Sequence, residues 1–179
     1  MIRAIRNFLA LALLTALAAC GGGGDSLSPT PSKFRSYDGP PITQIVVNKG
    51  ARRMHMLSGQ TVVKSYDVEL GNQPVGAKRF EGDGKTPEGV YHIDRFNPRS
   101  RYHLSVGVSY PSPQDTAFAQ SMGFRAGNDI FIHGRGDEGA VAKNARKKDW
   151  TAGCIAVEDS EIEEIYAMLR PGVPIVINP

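Results

Sequence analysis

The chain has 179 residues, 41% of them hydrophobic, and a formal net charge of +3. Arg3 and Arg6 supply two of those charges, so removing residues 1–19 leaves +3 − 2 = +1. With no Lys/Arg cluster interleaved with aromatic residues, this near-neutral balance excludes a nucleic-acid partner. In chain order, the two arginines precede an uncharged apolar run, Phe8 to Ala19, that stops at Cys20. A membrane-spanning helix needs about 20 apolar residues, so this shorter run reads as a secretory segment. Gly21 to Pro41 is rich in Gly, Ser and Pro and reads as a flexible tether over 20–41, because it buries too little to offset its ordering entropy. The rest, 42–179, suits one domain with one core.

Short β-rich runs dominate that domain: Ile42–Asn48, Arg53–Leu57, Thr61–Leu70, Val90–Phe96, Tyr102–Val108, Ile130–His133, Cys154–Val157 and Val173–Ile177. Asn48-Lys49-Gly50 and Ser58-Gly59-Gln60 are expected to join the first three as hairpins. Helices are expected at Asp115–Met122, weakly at Glu138–Lys147, and strongly at Ser160–Leu169. The last has apolar residues at helical spacing and Ser160/Glu163 as a capping box. The fold class is therefore mainly β with a few short helices (α+β). Gly82-Asp83-Gly84-Lys85-Thr86-Pro87 lacks the spacing of a phosphate loop. The basic stretch Lys143–Lys148 is expected to be a solvated face. No His or Cys pair shows metal-ligand spacing, and neither metal nor cofactor is expected.

Leu17-Ala18-Ala19-Cys20 resembles the lipobox of bacterial lipoproteins, in which the cysteine is lipidated and becomes the mature N-terminus. That resemblance makes Cys20 the lipidation site and 1–19 a lipoprotein signal peptide. With Gly21 next, it implies a periplasmic protein anchored to the outer membrane. Lipidating Cys20 leaves Cys154 as the one remaining thiol. An unpaired thiol in an oxidising compartment is a hazard unless it is buried or has a use.

A thiol becomes a nucleophile when a neighbour lowers its pKa or takes its proton, and backbone N–H groups can then hold the oxyanion. Asp129-Ile130-Phe131-Ile132-His133-Gly134 is an apolar strand that delivers a histidine at its end. Thr151-Ala152-Gly153-Cys154-Ile155 places the cysteine after a glycine and before an apolar run. By residue type alone, a single cysteine beside apolar residues is more often a core thiol, and a strand-end histidine more often a structural hydrogen-bonder.

His133-Gly134, seventeen residues, then Thr151-x-Gly153-Cys154-Ile155, resembles the signature of the YkuD-type L,D-transpeptidase domain. The similarity runs from Ile42 to Ile177. It includes Thr86-Pro87-Glu88-Gly89 and Ser109-Tyr110-Pro111 followed by Asp115, the latter resembling a branch with murein-acting relatives. The resemblance implies a YkuD-like β-sandwich, with Cys154 as nucleophile and His133 as general base. It further implies the Gly134 carbonyl as orienter of the imidazole and the Gly153 and Cys154 N–H groups as oxyanion donors. Arg135 and Tyr110 are candidate substrate contacts. The partners implied are peptidoglycan stem peptides, with a lipoprotein as a further acceptor. Two positions depart from the pattern: Ala152 replaces the usual His, and Ala156 the usual Asn or Arg. Both fall on the acceptor side, so hydrolysis of such links stays open beside transpeptidation, as does a non-catalytic wall-binding role. His55, His92 and His103 fall in expected strands.

Overall fold

Apolar residues alternate with polar ones along the first strands, and that period-two pattern puts one face of each into the core. The computed structural model describes residues 32–136 and 148–179. Cys20, the secretory segment, the first part of the expected tether, the expected helix Glu138–Lys147 and most of the basic stretch lie outside the described residues. Ser32–Pro179 forms one compact unit.

The strands are β1 (Gln44–Asn48), β2 (Arg53–Ser58), β3 (Thr61–Asp67), β4 (Gly89–Ser100), β5 (His103–Val108), β6 (Phe131–His133), β7 (Ile155–Ala156) and β8 (Pro174–Asn178). The helices among the described residues are α1 (Pro113–Ser121) and α2 (Asp159–Met168). All eight expected strand regions are strands, mostly shorter than the apolar runs that announce them. Both expected hairpins form, with Gln44 opposite Leu57 and Ser58 opposite Thr61.

The strands make one sheet in the order β3-β2-β1-β8-β4-β5-β6-β7. The long β4 serves both halves: Gly89–His92 pairs with β8, and Ile93–Ser100 pairs with β5 across two register shifts. Ile45, Val47, Ile175 and Ile177 from one half and Leu104, Val106 and Ile132 from the other join a single core. Burying one such side chain is worth about 1.5–3 kcal/mol. Among the described residues the architecture is mainly β with two short helices, in keeping with the expected fold class.

The helix ends differ in detail. α1 starts at Pro113 because Ser112 and Asp115 form a reciprocal capping box. Asp115 also accepts the Tyr91 hydroxyl at 3.0 Å. The expected Ser160/Glu163 box does not form. The helix begins earlier, with Glu158 as N-cap and its N–H donated to the Glu161 carboxylate at 2.9 Å. Glu163 instead meets Arg35 and His103, at 2.8 Å each. Residues 32–37 run along the domain: Lys33 Nζ donates to the carbonyls of Pro98 and His103 at 2.7 and 3.1 Å, and Phe34 packs on Tyr166.

Candidate active site

β6 is three residues long and its alternation decides the site. Ile132 points into the core, while Phe131 and His133 face a cavity of about 350 Å³. β7 pairs with it in parallel, Ile132 opposite Ile155 and His133 opposite Ala156. Cys154, one residue before β7, therefore lies beside Phe131 and lines the same cavity as His133. Its thiol donates to the Asp129 carbonyl at 3.4 Å.

The cysteine turn is held from three sides. Thr151 is buried; its hydroxyl donates to the Cys154 carbonyl at 2.7 Å and accepts the Gly153 N–H at 3.1 Å. Thr151 also pairs with Gly71, exchanging backbone bonds with Leu70 and Asn72. Behind the turn lies the Lys85 carbonyl, which a Cβ on Gly153 would meet at 2.6 Å. Gly153 also has φ +137, a conformation that L side chains rarely adopt, so only glycine fits. The Thr86-Pro87 stretch supports this arrangement: Thr86 is fully buried and its Oγ1 accepts the Gly71 N–H at 3.0 Å.

His133 is only 2% exposed. Its Nδ1 lies 2.6 Å from the Gly134 carbonyl oxygen. A carbonyl can only accept, so the proton sits on Nδ1 and Nε2 keeps its lone pair. Tyr102 stacks on the imidazole with centroids 4.3 Å apart, and Trp150 stands edge-on at 5.6 Å. Ser105, opposite His133 on β5, is buried and lines the same cavity. Beyond the histidine, Asp159 Oδ1 accepts the N–H groups of Arg135 and Gly136 at 2.7 and 3.0 Å, which fixes the turn after β6.

Burial pushes the His133 pKa down to about 4, against upward contributions from the Gly134 hydrogen bond and from Asp159. Cys154 opens onto the cavity, yet the protein packed around its sulfur desolvates the thiolate. Burial lifts its pKa to about 11, and the Phe131 N–H offsets this only in part. At neutral pH the pair is a neutral thiol and a neutral imidazole rather than an ion pair.

The structure brings Cys154, His133, Gly134 and Gly153 together and leaves two expected contacts elsewhere. Tyr110 is in the core, its hydroxyl donating to the Ala126 carbonyl at 3.0 Å. Arg135 Nε donates to Glu158 at 2.7 Å, beside a separate cavity of about 150 Å³ that Ala156 also lines. The Gly153 N–H donates to the Thr151 hydroxyl at 3.1 Å and so holds the turn rather than pointing into the cavity unpaired. A further cavity of about 270 Å³ reaches Cys154 from the other side, lined by Ala152, Lys78 and Asn128. Sequence reasoning missed Tyr102, Ser105 and Trp150, which reach the histidine through strand register and ring stacking, and Asp159, which holds the turn after it.

Residues 42–177 match the YkuD family, the L,D-transpeptidase catalytic domain. The chain belongs to that family. YafK of Escherichia coli strain K12, whose name assigns it provisionally to the L,D-transpeptidases, is 26% identical over 192 residues, covering 99% of this chain and 71% of YafK. The YkuD fold is shared with Pgp2 of Campylobacter jejuni, a helical cell shape determining protein, at TM-score 0.58 and 22% identity over 79% of this chain and 49% of that one. Bd1075 of Bdellovibrio bacteriovorus aligns with TM-score 0.52 and 21% identity over 80% of this chain and 50% of its own. The chain thus spans about half the length of these solved relatives.

Proposed function

We propose that this YkuD-family chain transfers acyl groups between peptidoglycan stem peptides through a thioester on Cys154. The observation that carries the reading is the shared cavity of Cys154 and His133, with Nδ1 tied to the Gly134 carbonyl. That tie leaves Nε2 as the one ring nitrogen able to take the thiol proton. Cys154 Sγ attacks the amide carbonyl at the L-centre of diaminopimelate as its proton passes to His133 Nε2, and the Cys154 N–H receives the oxyanion. The C–N bond breaks when His133 returns that proton to the departing D-Ala amine. An incoming amine, from a second stem or a lipoprotein lysine, then attacks the thioester, giving its proton to His133, and a new amide forms as the thiol is restored.

The geometry divides the two cavities. The leaving amine must meet His133 to be protonated, and by microscopic reversibility the acceptor arrives on the same side. The acyl donor then lies toward Ala152 and Asn128, in the second cavity. Hydrolysis is the second reading, favoured by the cavity of about 350 Å³ on the His133 side, which gives water access to the thioester. Ala152 lines the donor-side cavity, so its methyl withholds a polar contact from the donor stem rather than from the incoming amine. A contribution to cell shape, after which Pgp2 is named, follows from either reaction.

The test is mass analysis of muropeptides from sacculi treated with the full chain and with Cys154→Ala. New Cys154-dependent dimers establish transpeptidation. Shortened stems without dimers establish hydrolysis. No Cys154-dependent change removes both. The first twenty residues supply the address in this proposal: a lipid on Cys20 holds the protein at the periplasmic face of the outer membrane. Radiolabelled palmitate should enter the wild type and not Cys20→Ala.

A further inference from the structure

α1 is an unusual helix for this core. Of its residues only Ala119 is buried, and Phe118, in the middle of the helix, is 41% exposed. Phe124, just past Gly123, is 57% exposed. Neither ring is isolated. Phe80, from the loop before β4, lies against both, with centroids 6.0 Å from Phe118 and 4.7 Å from Phe124. The Arg79 guanidinium covers Phe118 at 4.8 Å. Exposed apolar clusters of this kind mark binding surfaces.

Two observations indicate what binds. A shallow cavity of about 220 Å³ beside Phe124 shares Gly127 and Asn128 with the donor-side cavity that reaches Cys154. The aromatic surface is thus continuous with the path to the thiol. Two charged pairs flank the rings, Arg125 with Glu81 at 3.2 Å and Lys78 with Asp83 at 2.9 Å, and the Arg79 guanidinium adds hydrogen-bond donors beside Phe118. Aromatic faces beside hydrogen-bonding side chains suit a ligand with apolar C–H faces and hydroxyl or acetamido groups.

We infer that Phe118, Phe124 and Phe80 form a platform for the neutral amino-sugar backbone of peptidoglycan, holding the glycan from which the donor stem hangs. This rests on the proposed acyl transfer only for its direction. The acylated carbonyl is at Cys154, the stem runs back through the cavity at Asn128, and its sugar end emerges at the rings.

The test uses the full chain and the double variant Phe118→Ser/Phe124→Ser, whose rings are exposed and outside the reacting site. Neutral N-acetylglucosamine oligomers, which carry the amino-sugar backbone without peptide or lactyl carboxylate, are titrated calorimetrically. Cys154 acylation by a free stem peptide without sugar is followed in parallel by mass. The expected result is glycan binding by the wild type, weakened about tenfold in the variant (rings stacking on a ligand being worth roughly 1 kcal/mol or more), with acylation by free peptide unchanged. Equal binding by both proteins, or none by the wild type, overturns the platform. So does ring-dependent binding to phosphatidylethanolamine/phosphatidylglycerol vesicles without glycan binding. Ring-dependent glycan binding without any acylation keeps the platform and removes the acyl-transfer reading instead.

Discussion

His133 is held by two constraints that act in opposite directions on its proton. The Gly134 carbonyl at 2.6 Å favours a protonated ring, while burial disfavours charge and prevails, leaving the pKa at about 4. An unfolded histidine takes up a proton below about 6.5 that the folded one refuses until about 4. Stability therefore falls as pH drops through that window, by up to about 3 kcal/mol. Urea titrations at pH 7 and pH 4 should show this loss in the wild type and not in His133→Gln. Equal losses in both would assign the acid sensitivity to other groups. The same values set the chemistry. With the thiol at about 11, iodoacetamide should modify Cys154 slowly at pH 7 and faster as pH rises. Rapid, pH-independent alkylation from pH 5 to 8 would instead reveal a resting ion pair. Tyr102 belongs to this balance because its ring covers one face of the imidazole. Tyr102→Ala admits water and should raise the acid limb of the pH–rate profile from near 4 toward 6.5. The lost stacking, about 0.5–1.5 kcal/mol, should lower kcat/KM by up to roughly tenfold. An unmoved acid limb would make Tyr102 a packing residue only.

At the scale of elements, the cysteine turn depends on a segment far from it in sequence. Thr86 gives the Gly71 N–H its acceptor, Gly71 pairs with Thr151, and Thr151 holds both ends of the turn. Thr86→Val keeps the shape but leaves a buried N–H unpaired, a cost of about 1–3 kcal/mol. Thermal melts should show that loss, and Cys154 acylation should slow as the turn loosens. A variant with wild-type stability would mean that Gly71 has another acceptor. This dependence explains what was legible. β1, β2 and β8 could be read because Ile45/Val47, Met54/Met56 and Ile175/Ile177 each bury alternate residues, and β5 and β7 because their apolar runs are buried throughout, both local patterns. The start of α2 could not, because Glu161 caps Glu158 while Asp159 is tied to the turn after His133, and that turn is remote in sequence. Cys154 and His133 were legible through their motif. The commitment of the Gly153 N–H to Thr151 was not, since either neighbouring N–H satisfies the same sequence.

For the molecule as a whole, the proposed lipid anchor on Cys20 makes the length of chain before the domain the limit on where the site can reach. Composition alone made 20–41 a tether, yet Lys33 binds the carbonyls of Pro98 and His103, Arg35 pairs with Glu163, and Phe34 packs on Tyr166. In the proposed anchored form only residues 20–31 separate the lipid from the described structure, and twelve residues can reach at most about 40 Å. Releasing 32–41 adds ten residues and roughly 35 Å. The Arg35 ion pairs are half-exposed and worth only about 0–1 kcal/mol each, so the strap should open more readily than the sheet. In Lys33→Ala/Arg35→Ala, amide exchange over 32–41 should quicken markedly while β1 and β8, whose Ile45, Val47 and Ile175 are wholly buried, keep their protection. If the lipid on Cys20 fixes the other end, the same variant should act on stems farther from the membrane. The measurement is the Cys154-dependent muropeptide change in cells whose envelope has been widened by a lengthened lipoprotein spacer, where the wild type should lose activity first. Equal exchange over 32–41 in both proteins would show that the strap is held by packing rather than by these two side chains. Equal activity despite faster exchange would show that reach does not limit the enzyme.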